Sequence, residues 1–304
     1  MIHEIYPEKY DPTYINKKTE EQDFLLNYEK DCILVKYEND RAVLPRCRDY
    51  KELCGEEYEG ILDNAYYLFS ISDKSYFEAI NLSSKIKTNL TFYKNIEETE
   101  EKKPQNGDFF YIKIHSFREL DPIPMVFAGA TGYHIRNWRI SASHCGYCGA
   151  KTKPSLIERS FVCEECGREH FPKISPAVIV AVTNGEKILL VKNLRRPNNV
   201  RLELVSGYVE IGESFEQAVH REVLEEVGLK VKNVRYYKDQ PWGISGAHMI
   251  GFYAEVDGDD TIRRQEDEIS EAKWYKRDEI PKYRNRLSVG TEMIIRFKEK
   301  GREA

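Results

Sequence analysis

The run Gly207–Leu229, GYVEIGESFEQAVHREVLEEVGL, constrains this chain more than any other stretch, because it sets Glu213, Glu222, Glu225 and Glu226 around one turn-to-helix junction. The helix is specified locally. Ser214 followed three residues later by Gln217 is a capping box, and Gly228 stands where a left-handed cap is wanted, so a helix is predicted over Phe215–Val227. At about 100° per residue, Glu222, Glu225 and Glu226 share one face, while Val219, Val223 and Val227 form an apolar stripe beside it. Like charges three and four positions apart destabilise a helix by a few tenths of a kcal/mol per pair. Helix formation therefore does not account for the cluster, and four carboxylates this close need a cation.

Hard cations such as Mg²⁺ and Mn²⁺ take oxygen ligands, and Mg²⁺ is usually held by one or two carboxylates plus water and substrate phosphates. A cation held this way neutralises a pyrophosphate and activates water, which points to cleavage of a phosphoanhydride. Alone, EVLEEVG reads equally as a solvated acidic helix face; Gly207, Glu213, Arg221 and Gly228 at fixed offsets set that reading aside. The whole pattern, G-x5-E-x7-R-E-U-x-E-E-x-G-U with Val223 and Leu229 at the aliphatic positions, resembles the Nudix box without a departure. The resemblance implies that Glu222 and Glu226 are the main metal ligands and that Glu225 is a further ligand or base. It also implies that Glu213 and Arg221 hold the loop to the helix, and that the Ser206 carbonyl is a main-chain ligand.

Four of the seven cysteines stand as C-x2-C-x14-C-x2-C, at Cys145, Cys148, Cys163 and Cys166, and each pair is followed by glycine. Two such knuckles suit a tetrahedral structural Zn²⁺, a closed site with no coordination position left for substrate. The competing reading is a pair of disulfides. The opening MIHEIYPEKY has no basic-then-apolar leader, so a reducing cytoplasm and free thiolates are expected. Cys32, Cys47 and Cys54 have no partner spacing and read as ordinary core or surface cysteines.

At 304 residues, with 41% hydrophobic and 12% aromatic residues, the chain has material for two domains and a small insert. No apolar stretch approaches a membrane span. A formal net charge of −5 argues against strong nonspecific nucleic-acid binding, which relies on a basic surface. In the first 140 residues, Cys32–Tyr37, Tyr66–Ile71, Ser75–Ile80 and Phe109–Ile114 read as strands, Glu97–Gly107 as an exposed loop, and Met125–Ile140 as a helix despite Gly129 and Gly132. Later, Ala177–Thr183 and Lys187–Val191 flank the hairpin signal Asn184-Gly185, and Leu202–Val205 leads into the Gly207 loop. Met249–Val256 and Ala272–Tyr275 read as strands and Thr291–Lys298 as a closing helix. The expected class is α/β. A Nudix α/β/α sandwich with a mixed sheet (173–304) follows a β-rich N-terminal domain (1–140) and a four-cysteine zinc ribbon (141–172).

The flanks narrow the substrate. A four-cysteine ribbon before the box, HFPKISPAVIV at His170–Val180, and Gln240-Pro241-Trp242 after it together resemble the NADH pyrophosphatase branch. The branch signature SQPWPFPxS stands here as DQPWGISGA, with Asp239 for the serine and Gly243 and Ser245 for two prolines, which frees backbone in that loop. The resemblance implies that Tyr208 and Phe171 are aromatic platforms, Glu158 a polar contact, and Gln240, Pro241, Trp242, Gly243, Ile244, Ser245, Gly246 and Ala247 a border for the ligand. It implies that Glu268 is a metal ligand outside the box, and that the chain is a homodimer. The expected reaction is Mg²⁺- or Mn²⁺-dependent cleavage of NADH or NAD⁺ to nicotinamide mononucleotide and AMP, or of the same bond in NAD-capped RNA. ADP-ribose or dinucleoside polyphosphates are alternatives, as is a zinc-ribbon nucleic-acid-binding module with an accessory catalytic domain. His170, His220 and His248 have no triad partner in the sequence.

Overall fold

The computed structural model describes residues 1–80, 82, 90–94, 103–194, 201–283 and 286–301. The chain forms two compact units, one of Met1, Ile174–Trp242 and Gly246–Ala304, the other of Ile2–Lys173 and Gly243–Ser245.

The first unit is built on a six-stranded mixed sheet. Its strands are β1 (Ser175–Asn184), β2 (Lys187–Asn193), β3 (Val205–Tyr208), β4 (Val231–Trp242), β5 (Ala247–Val256) and β6 (Ile269–Lys276), in the order β4-β5-β1-β2-β6 with β3 also paired to β1. Only β1 and β5 run parallel among the adjacent pairs, and a parallel pair needs a crossover, which β2, β3, helix α1 (Phe215–Val227) and β4 supply. Helix α2 (Val289–Lys300) closes the chain.

Alternation along the strands assigns the two faces. Val178, Val180 and Val182 of β1 and Ile250, Phe252 and Ala254 of β5 pack with Val219, Val223 and Val227, so the apolar stripe of α1 is buried on one face. Ala181 and Tyr253 point the other way, into Val289, Met293, Ile294 and Phe297 of α2. The result is the expected helix–sheet–helix sandwich. Phe297 is fully buried, and its truncation to alanine would cost about 3–5 kcal/mol.

Helix α1 has the expected bounds, β1, β2, β5, β6 and α2 run longer than the sequence suggests, and β4 is a strand that the sequence pattern does not announce. It is an edge strand with two register shifts, between Lys232 and Arg235 and between Tyr236 and Lys238, and Asn233 takes a positive φ of 51°. Each bulge breaks the period-2 pattern by which strands are recognised.

In the second unit, Tyr66–Ile71 and Lys74–Glu78 pair in a four-stranded sheet, and Cys32–Glu38 and Phe109–Lys113 form the centre of a five-stranded one. Residues 97–102 of the expected loop lie outside the described residues. The helix expected from Met125 runs over Ile123–Ser141. Its two glycines are packing devices: a Cβ at Gly129 would lie 2.3 Å from the Phe117 ring, and one at Gly132 would lie 2.4 Å from the Tyr28 hydroxyl. That hydroxyl donates to the Gly129 carbonyl at 2.8 Å. Cys32, Cys47 and Cys54 are buried in the N-terminal core, where burial pushes the Cys32 thiol up to about 11 and the Cys47 thiol up to about 12. The ribbon follows as a three-stranded sheet, Thr152–Pro154, Phe161–Cys163 and Glu169–His170, with Phe161 packed edge-on against Trp138 at 5.4 Å. Among the described residues, no helix is long and apolar enough to cross a membrane.

Candidate active site and zinc centre

The capping box forms as read. The Ser214 hydroxyl accepts from the Gln217 amide at 3.2 Å, and the Gln217 side chain accepts from the Ser214 amide at 2.8 Å. At the other end Gly228, with φ +71°, donates to the Leu224 carbonyl. The next orphan carbonyls of α1, Glu226 and Val227, accept from the Gln265 and Arg263 amides, both at 2.9 Å. Capping thus ties the 263–268 loop to the end of the helix and delivers Glu268 beside it.

Arg221 is the hub of the exposed side. Its Nε and Nη2 donate to the two carboxylate oxygens of Glu213 at 2.8 and 2.9 Å, and Nη1 reaches Glu222 at 2.7 Å and Glu225 at 3.0 Å. Nη2 also donates to the Tyr208 carbonyl at 2.9 Å, so one guanidinium fixes the loop to the helix. The Arg221 fork, helped by the Glu210 amide, holds the Glu213 carboxyl down to about 2. Glu225 is exposed.

Two of the helix carboxylates are buried, Glu222 8% and Glu226 5% exposed. Gly207 makes room for Glu222: a Cβ there would sit 2.1 Å from its carboxylate. Burial, followed by the charges of Glu222, Glu268 and Glu203, pushes the Glu226 carboxyl up to about 8, opposed by a hydrogen bond from the Ser206 amide. Burial also raises Glu222, with Arg221 opposing. Carboxylates buried among like charges offer oxygen ligands that fit a hard divalent cation. Among the described residues these glutamates do not close to the 4.8 Å mutual separation that the four thiols reach. Glu203 is absent from the sequence reading, because only strand pairing brings it here.

The register also sorts the expected ligand contacts. Tyr208 pairs with Ala177, Ala177 with Met249, and Met249 with Gln240, so this row lies on the α2 face of the sheet, as does the pair Trp242–Ala247. Gly207 and Asp239 belong to the α1 face. Tyr208 is 54% exposed and Trp242 half-buried. Gln240 is fully buried and both ends of its amide are engaged: Nε2 donates to the Leu287 carbonyl at 2.9 Å and Oε1 accepts from the Val289 amide at 2.8 Å, fixing the start of α2. Asp239, which stands where the signature has serine, pairs with His248 at 3.2 Å. Ile244 and Ala247 are buried, and Gly246, with φ +74°, donates to the Trp242 carbonyl across the turn. Phe171, 51% exposed, and Glu158, exposed, belong to the second unit.

The four cysteines meet. Sγ separations are 3.7 Å for Cys145–Cys166, 3.4 Å for Cys148–Cys163 and 3.6 Å for Cys148–Cys166. A tetrahedron with Zn–S bonds of about 2.3 Å has edges of about 3.8 Å, which these distances approach. The two knuckles repeat one hydrogen-bond scheme. Gly149 donates to the Cys145 carbonyl and Cys145 to Ala150; Gly167 donates to Cys163 and Cys163 to Arg168. Gly149 and Gly167 have φ of +78° and +70° with open space around them, so backbone conformation is what demands glycine there. The Cys148 and Tyr147 amides pull the Cys145 thiol down to about 5, and the Cys166 and Glu165 amides lower Cys163, which readies both sulfurs for metal.

Residues 173–293 match the NUDIX domain, and residues 140–171 match the NADH pyrophosphatase zinc ribbon domain. The NAD-capped RNA hydrolase NudC of Shigella boydii serotype 18 is 40% identical over 163 residues, 54% of this chain and 62% of that protein. The protein of the same name from Escherichia coli strain K12 / DH10B is 41% identical over 150 residues, 49% of this chain and 58% of its own. The chain thus spans about three fifths of the length of these curated relatives. A crystal structure of a NUDIX hydrolase from Nitrosomonas europaea aligns over 53% of this chain and 93% of its own at 22% identity, with a TM-score of 0.46.

Proposed function

We propose that this chain, which carries a Nudix domain behind an NADH pyrophosphatase zinc ribbon, hydrolyses the central pyrophosphate of NADH or NAD⁺ to nicotinamide mononucleotide and AMP, and the same bond in the NAD cap of RNA. The observation that carries the reading is the buried pair Glu222 and Glu226, with Glu222 packed against a glycine that no other residue could replace without moving it. Glu222, Glu226, Glu268 and the Ser206 carbonyl would hold Mg²⁺ or Mn²⁺, with Glu225 as a further ligand or base. When bound, the cation supplies charge neutralisation for the pyrophosphate and a water of lowered pKa. Arg221 keeps Glu213, Glu222, Glu225 and the Tyr208 carbonyl in register, so the loop presents the Tyr208 ring without reorganising during the reaction. Net hydrolysis adds one water across the P–O–P bond, one phosphoryl group gaining the hydroxyl and the other leaving as a phosphate monoester.

Tyr208 and Phe171 are assigned to stack on flat rings, and Glu158 and the 240–247 segment to border the ligand; within that segment Gln240 acts through the fold it holds. The division into 1–140, 141–172 and 173–304, the homodimer and a reducing cytoplasm belong to the same reading. Two observations support it: relatives named NAD-capped RNA hydrolase and the ribbon's four free thiols. The test is a panel of NADH, NAD⁺, NAD-capped RNA, ADP-ribose and a dinucleoside polyphosphate, with products separated by chromatography. The expected result is AMP with nicotinamide mononucleotide from NADH and NAD⁺, and a 5′-monophosphate end on the RNA. Robust ADP-ribose cleavage with NADH left intact overturns the assignment.

A further inference from the structure

The segment before β3 carries a carboxylate that the Nudix pattern does not include. Glu203 forms an isolated antiparallel bridge with Val191 of β2, and both backbone hydrogen bonds of the bridge, Val191 to Glu203 and Glu203 to Val191, are 2.9 Å long. Val191 pairs on its other side with Ala272 of β6. Directly opposed residues of an antiparallel ladder share a face, and Val191 belongs to the core beneath α1. Glu203 therefore projects to the α1 face, as do Val205 and Gly207 at two-residue steps along the same segment.

Helix α1 runs against this row. Glu222 lies over Gly207, and four residues on, about 6 Å along the helix axis, Glu226 takes a hydrogen bond from the Ser206 amide. Glu203 occupies the next position along the face. Beyond it, the Leu194 amide just past the end of β2 donates to the Glu268 carbonyl at 2.8 Å. The order along the seam is thus Glu222, Glu226, Glu203, Glu268. The charges of Glu222, Glu268 and Glu203 all reach the Glu226 carboxylate.

We propose that Glu203 is an additional carboxylate of the divalent-metal site, facing Glu226 and Glu268 from the strand side of the seam. The inference rests on the reading of Glu226 as a metal ligand. Its backbone is anchored by a complete bridge, which fixes the point from which its half-buried side chain leaves the strand.

The experiment measures Mn²⁺ binding directly, by electron paramagnetic resonance titration of the full zinc-loaded chain without substrate. The parent is compared with Glu203→Gln, Glu203→Asp and Glu226→Gln, and circular dichroism and the unfolding midpoint are recorded for each. Glu203→Gln is isosteric and leaves the backbone bridge in place, so the fold is expected to survive. The expected result is Mn²⁺ affinity weakened about tenfold or more in Glu203→Gln, with much of the loss restored in Glu203→Asp. Unchanged affinity and stoichiometry in folded Glu203→Gln, alongside a clear loss in Glu226→Gln, overturns the role of Glu203 alone. Glu203→Asp binding no better than Glu203→Gln, with both folded, overturns it as well. Parent-like binding in Glu226→Gln overturns the underlying metal site and this inference with it.

Discussion

Replacing Glu226 by glutamine should stabilise the metal-free protein while destroying its activity. Glu226 is 5% exposed, and its carboxyl is pushed from the ordinary 4.5 up to about 8 by burial and by the charges of Glu222, Glu268 and Glu203. The folded state therefore holds this proton more tightly than the unfolded chain does. Between the two values the native state binds more protons, so stability falls as pH rises from about 4.5 to about 8 and is flat outside that window. At about 1.4 kcal/mol per unit, the full penalty for ionising Glu226 in place is about 5 kcal/mol, an upper bound because the unfolded chain and local relaxation both reduce it. Glutamine keeps the shape and still accepts from the Ser206 amide, but carries no charge.

The assay is thermal unfolding at pH 5 and pH 8 of protein dialysed free of Mg²⁺ and Mn²⁺ without chelator, so that the ribbon keeps its zinc. The parent should lose on the order of 10 °C between the two pH values, at about 4 °C per kcal/mol for a unit of this size. Glu226→Gln should lose little of it. Added Mn²⁺ should raise the midpoint of the parent at pH 8 by mass action and leave Glu226→Gln nearly unmoved. A Glu226→Gln protein that is no more stable than the parent at pH 8 would refute the argument that this carboxylate is buried at a cost which metal offsets.

Three further outcomes follow from the geometry. Gly207→Ala places a methyl 2.1 Å from the Glu222 carboxylate, so Glu222 must move; kcat should fall on the order of a hundredfold with the fold retained by circular dichroism. Gln240→Leu removes both bonds that hold Leu287 and Val289, and leaves the buried Val289 amide without its acceptor at about 1–3 kcal/mol. The unfolding midpoint should drop while KM for NADH stays near the parent value, and the reverse pattern would return Gln240 to the ligand. Cys163→Ser takes one corner from the thiolate tetrahedron, so metal analysis should show the ribbon's zinc lost and the midpoint lowered.

What can be read in advance is whatever rests on neighbours along the chain. The Ser214–Gln217 box, the Gly228 cap and the CxxC knuckles are each complete within a few residues, so spacing alone specifies them, and helix α1 has the predicted bounds. Strand β4 escapes because its two bulges shift the alternation from one face to the other partway along, while its exposed edge requires no hydrophobic run. Gly129 and Gly132 count against a helix by propensity. The penalty of about 1 kcal/mol each is offset in the fold by the close approach of Phe117 and Tyr28, neither of which is near them in sequence.

The candidate site divides the same way. The four glutamates of the box lie on one turn and one helix and announce themselves. Glu268 arrives only because two amides of the 263–268 loop cap the end of α1, and Glu203 only because Val191 pairs with it across the sheet. Gln240 shows the converse. It sits in the segment that resembles a ligand border, yet its amide is consumed by the first residues of α2, so its contribution to any substrate passes through the placement of that helix. A motif therefore identifies the atoms that do chemistry most reliably where secondary structure alone sets their spacing. Where tertiary pairing sets it, strand register decides which carboxylate reaches the glutamates of the box and which side chain of a motif is occupied elsewhere.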